Sequence, residues 1–87
     1  MKEIVYQTQG TCSQLIRLTG HEGRIVSVEF LGGCHGNLQG IASLVKGMKY
    51  QDVIDRTEGI HCGMKPTSCP DQLARALRQL QAADHED

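Results

Sequence analysis

The sequence predicts a small α+β domain: a three-stranded, mainly antiparallel sheet covered on one face by about three helices. Three observations carry this. Apolar residues recur at every second position in the first third of the chain, the period of a half-buried strand. Beyond Gly36 the spacing changes to that of a helix, as in Leu38, Ile41 and Val45. Gly-rich clusters fall between the periodic segments and punctuate them.

Taken in order, residues 3–8 alternate weakly and form a first strand, broken by Gly10-Thr11-Cys12. Residues 14–19 place Ile16 and Leu18 on one face, with Leu15 and Arg17 on the other. Gly20-His21-Glu22-Gly23 is a turn cluster with two glycines available for positive φ. Residues 24–31 carry Val26, Val28 and Phe30 at period two, opposite Ser27 and Glu29, so the pair reads as an antiparallel hairpin. A turn centred on His21-Glu22 sets Cys12 opposite Leu31 and brings Cys34 to the same edge, about 10 Å away or less.

Asn37 is the expected N-cap of the first helix, with Leu38, Ile41, Leu44 or Val45, and Met48 as its apolar stripe and Gly47 at its end. A short second helix over residues 51–57 buries Val53 and Ile54 and stops before Gly59. Residues 59–66 read as an irregular loop. In the last helix Ser68 caps, Pro70 falls in the first turn and Asp71 completes a Ser-x-x-Asp box. Leu73, Ala76, Leu77 and Leu80 form its buried stripe, and residues 84–87 are expected to fray.

Composition narrows the function. The 87 residues make one domain, 1–87, with Tyr6, Phe30 and Tyr50 as the aromatics and no Trp. A core this light usually needs a staple, and the chain has four Cys. Apolar runs are short, such as Ile25-Val26 and Phe30-Leu31, so no membrane span is expected. Met1-Lys2-Glu3-Ile4 lacks the apolar core of a secretory signal, and the expected location is cytoplasmic. Nine basic against ten acidic residues give a formal charge of −1 without a basic run, so nucleic acid is not an expected partner.

Each cysteine falls at the end of an element, in Gly-rich surroundings, rather than on an apolar stripe. Cys12 precedes one hairpin strand and Cys34 follows the other. Cys69 opens the last helix, where orphan amides favour a thiolate, and Cys62 lies six residues before it. Four thiolates without matching carboxylates read as a zinc or iron–sulfur site with ligands Cys12, Cys34, Cys62 and Cys69. Two other readings stay open: a redox pair of Cys62 with Cys69 as attacker, and small buried hydrophobes. His35 and His61 each adjoin a Cys, as alternative ligands or as loop residues carried there by their neighbours. Lys65 either offsets thiolate charge or is solvated. Gly32-Gly33-Cys34-His35-Gly36-Asn37 lacks the register of a nucleotide loop.

Thr67-Ser68-Cys69-Pro70-Asp71, with Gly32-Gly33-Cys34-x-Gly36-Asn37-Leu38 and Gly59-Ile60-x-Cys62-Gly63-x-Lys65-Pro66, resembles small stand-alone members of the TSCPD domain family from Cys12 to about Leu80. The resemblance implies four characteristic cysteines and a metal-binding role; four loop-borne thiols in a chain with no acid–base constellation make that role an expected accessory or carrier one rather than a catalytic one. The same domain is appended to adenosylcobalamin-dependent ribonucleotide reductases, whose catalytic barrel this chain is too short to hold. It therefore also implies a thiol-redox or regulatory partner of such an enzyme. A more distant likeness is to U-type iron–sulfur scaffold proteins, whose fold and three cysteines would match here at Cys12, Cys34 and Cys69. Ser68 stands where the scaffold has His, Cys62 would supply the fourth ligand, and the scaffold's Asp near its first Cys has no counterpart around Cys12. The set is better suited to holding a metal than to passing one on, and an iron–sulfur cluster scaffold stays open as a third function. The expected partner is another protein or a second copy of this chain.

Overall fold

A computed structural model describes residues 1–10, 13–32 and 35–86. Three strands, β1 (Lys2–Gln7), β2 (Ser13–His21) and β3 (Arg24–Gly32), precede three helices, α1 (His35–Val45), α2 (Tyr50–Thr57) and α3 (Cys69–Glu86). The strands form one sheet in the order β1-β2-β3, antiparallel throughout, so the chain has the expected α+β fold.

The hairpin turn lies one residue beyond its expected centre. Glu22 and Gly23 take φ of 53° and 81°, a two-residue left-handed turn closed by pairing of His21 with Arg24. That turn twists with the strands and sets the register beyond it. The turn alone would set Leu31 opposite Gln14; one further step, at a bulge, sets it opposite Leu15, not Cys12 as the earlier centre required. A second departure follows from a bulge: Thr19 faces Ser27 but Gly20 faces Ile25, leaving Val26 as the extra residue. The bulge reverses the alternation, so Ile25 is buried with Val28 while Val26 is only half-buried.

The inner face of the sheet is covered by α3 over β1 and β2, and by α1 over β3, with α2 packed against α3. Ile16 and Leu18 of β2 meet Leu73, Leu77 and Leu80 of α3 in one cluster that includes Val53 and Ile54 of α2. All four expected stripe residues of α3, Leu73, Ala76, Leu77 and Leu80, are fully buried. The outer face carries cross-strand polar pairs, such as Arg17 with Glu29 at 3.7 Å, and leaves Val5 and Leu31 exposed.

The first helix starts earlier than expected. Gly36 keeps out of the left-handed region and continues the helix, so Asn37 lies inside α1 rather than capping it. Of the two alternatives for its stripe, Val45 is buried and Leu44 exposed. After α1 the chain runs antiparallel to the start of β3: the Gly47 amide donates to the Ile25 carbonyl at 2.8 Å, and that of Ile25 to Met48 at 2.9 Å. This seats Tyr50, which is buried, over Gly20 of β2, opposite the β3 bulge. A β-carbon on Gly20 would stand 1.7 Å from the Tyr50 hydroxyl, so only glycine leaves room for the ring. At the other end, α3 continues through the segment expected to fray, to Glu86. Among the described residues no helix is long and apolar enough to cross a membrane.

Candidate functional site

The site is organised by the start of α3. Ser68 is the N-cap: its Oγ accepts the Asp71 amide at 3.1 Å and donates to the Ile60 carbonyl at 2.6 Å. Asp71 reaches further than a capping box requires. Its Oδ1 accepts the Gly59 amide at 2.7 Å, and its Oδ2 accepts the Thr67 hydroxyl and lies 3.3 Å from Arg75. Thr67 Oγ1 in turn accepts Gln72 Nε2 at 2.9 Å, and Gln72 Oε1 accepts the Gln9 amide at 3.2 Å. All four polar side chains, Thr67, Ser68, Asp71 and Gln72, are buried. Every one is hydrogen-bonded, which is what makes such burial tolerable.

These bonds pin the loop on both sides of Cys62. Gly59 and Ile60 are held before it by Asp71 and Ser68, and the Cys62 amide donates to the Thr67 carbonyl at 3.1 Å after it. The Lys65 amide returns to the Cys62 carbonyl at 3.1 Å and closes a turn. Outside the loop, the Arg78 guanidinium grips the Glu58 carboxylate through Nε and Nη2 and fastens the end of α2 to α3.

Burial raises the Asp71 carboxyl, but hydrogen bonds from Thr67 and Gly59, with the charges of Arg75 and His61, outweigh it. The carboxyl is held below its ordinary value of 3.8, so Asp71 is an anion at neutral pH. It faces the positive end of α3, as the dipole favours.

A cavity of about 560 Å³ opens between this loop and α1. Cys62 and Cys69 both line it, together with Lys65, Gly10 and Gly36. Both are thiols; Cys62 is exposed and Cys69, the first residue of α3, is half-buried. The backbone before Cys12 is drawn to the same place, since Gly10 packs on Thr67 and Gln9 is bound by Gln72. Of the four cysteines expected as ligands, Cys62 and Cys69 are thus brought to one wall. Cys12 and Cys34 lie outside the described residues. Among the described residues no group of three or more His, Cys, Asp or Glu is arranged to hold a metal. His61 is exposed and acts on Asp71 through its charge.

The Ser68 cap and the position of Cys69 were legible from the Ser-x-x-Asp spacing. Nothing in the local sequence marks Thr67 or Gln9. For Gln72 a signal existed: it lies four residues before Ala76 and eight before Leu80, on the buried stripe.

No curated protein and no solved structure matches the chain. The model of the TSCPD domain family does, over residues 2–81. That span takes in all four cysteines, the Thr67–Gln72 network and the whole sheet, and the chain belongs to the TSCPD domain family.

Proposed function

We propose that the chain is a metal-binding module whose ligands are Cys12, Cys34, Cys62 and Cys69, taking zinc or an iron–sulfur cluster in an accessory or carrier role. One observation carries this reading: Cys62 and Cys69 line one cavity with Gly10 and Gly36. Those glycines are each two residues along the chain from Cys12 and Cys34, a covalent reach of about 7 Å. The donor chemistry fits, because the described wall holds sulfur and no carboxylate, as zinc and iron–sulfur sites prefer and calcium or magnesium sites do not. When bound, zinc would supply a cross-link between chain segments, and a cluster would add a redox centre. The chain's own contribution is to hold the thiols in place. Thr67, Ser68 and Asp71 fix the loop of Cys62 against the helix that Cys69 opens.

Anaerobic purification followed by elemental analysis and a visible spectrum tests the reading. The expected result is about one zinc ion per chain, or iron and sulfide with a cluster absorption. Metal far below one equivalent in protein with intact thiols would overturn it.

The shared wall of Cys62 and Cys69 also favours a second reading, a thiol-redox partner of a ribonucleotide reductase. Cys69 thiolate would attack a disulfide of that protein and Cys62 would displace it from the mixed disulfide. The partner disulfide gains two electrons and the chain retains a Cys62–Cys69 disulfide. A reversible disulfide with a measurable potential is expected on this reading. Failure to oxidise without unfolding contradicts it.

A further inference from the structure

On the reading of Cys62 and Cys69 as metal ligands, the site is anionic. Four thiolates around Zn²⁺ leave a net charge of about −2, and iron–sulfur clusters with four thiolates are likewise anionic. Negative charge against apolar surface is costly unless a cation or dipole stands near it. Leu38, Ile41, Leu44 and Pro70 supply much of the cavity wall, and Asn37 and Ser68 add neutral polar groups. Among the described residues of that wall Lys65 is the single charged side chain, and none is an acid.

The backbone places Lys65 there. Its amide closes the turn onto the Cys62 carbonyl at 3.1 Å, and the Cys62 amide is held by the Thr67 carbonyl at 3.1 Å. The residue is therefore fixed three positions from one thiol and on the same wall as the other. Neighbouring cations are engaged elsewhere: Arg75 with Asp71, and Arg78 with Glu58. Among the described residues Lys65 makes no ion pair that would divert it.

We propose that Lys65 is the counter-cation of the thiolate site. It is a positioning charge rather than a ligand: its ammonium lowers the free energy of the anionic centre and raises the local concentration of anions approaching Cys62. Lysine at an exposed position acts through a screened field, so the effect falls with ionic strength.

The test uses the whole chain as purified, with Lys65→Gln and Lys65→Arg. Lys65 is exposed, so both variants are expected to fold, and circular dichroism checks this. Alkylation of Cys62 is followed by peptide mass spectrometry with iodoacetate, an anion, and iodoacetamide, which is neutral. Their rate ratio reports local potential separately from thiol reactivity. We expect Lys65→Gln to lower the ratio about threefold at low salt, Lys65→Arg to restore it, and 1 M salt to remove the difference. In metal-loaded protein Lys65→Gln should also lose metal to the neutral chelator phenanthroline about threefold faster. An unchanged ratio, or one that arginine does not restore, overturns the assignment. Protein without metal but with the expected ratio defeats the metal reading and leaves the cationic role of Lys65 standing. Bound metal with an unchanged ratio does the reverse.

Discussion

Asp71 accepts the backbone amide of Gly59 at 2.7 Å, a contact between the first turn of α3 and the start of the loop that carries Cys62. The helix cap and the loop are therefore one hydrogen-bonded unit, and a change at either should be felt at the other.

The first prediction concerns acid. The folded Asp71 carboxyl titrates below its ordinary value of 3.8. Its contribution is then complete above 3.8 and is lost as pH falls through the lower folded value. Asp71→Asn should cost about 1–3 kcal/mol at pH 7, because Thr67 and Gly59 lose a charged acceptor. The variant should also lose part of the acid limb. Urea midpoints measured from pH 2 to pH 7 check both, and a variant whose midpoint runs parallel to wild type at every pH contradicts the account.

A second prediction concerns the Tyr50 ring over Gly20. Gly20→Ala places a methyl 1.7 Å from the hydroxyl oxygen, so the buried ring must move. The expected cost is about 1–3 kcal/mol, the usual range for overpacking. Adding Tyr50→Leu should make the double variant less damaged than the two single costs sum to, since the clash is gone. Additive losses in a thermal or urea cycle would show that the two residues do not meet.

The third is stabilising. Glu22 occupies the left-handed region at φ 53° beside Gly23 at 81°, a conformation that Asn adopts more readily than Glu. Glu22 is exposed, and its carboxylate lies 3.6 Å from His21 Nε2. Glu22→Asn should therefore raise stability by about 0.5 kcal/mol, read as a higher Tm. A lower Tm would mean that the turn is not the one described.

Much of this architecture is visible in the residues alone, and the exceptions share a cause. Leu73, Ala76, Leu77 and Leu80 repeat at helical spacing over a long segment, so α3 and its buried stripe are legible. Ser68 and Asp71 act over three residues, so the cap is legible too. The hairpin register is not, because Glu is an unusual left-handed residue and a one-position error in the turn moves every pair. The bulge at Val26 is equally hidden, since inserting one residue leaves the local pattern apolar. At the site, the positions of Cys62 and Cys69 follow from the loop and helix boundaries. The bonds from Asp71 to Gly59 and from Gln72 to Gln9 join residues far apart in sequence, and only the packed fold brings them within reach.

The central claim is that the cysteines serve one metal and that this metal also braces a light core. Metal content and urea midpoint measured together on wild type and Cys34→Ala test it most directly. The account predicts that the variant loses the metal and unfolds at lower urea, because metal binding is coupled to folding. A Cys34→Ala protein with full metal and an unchanged midpoint would contradict both halves of the claim.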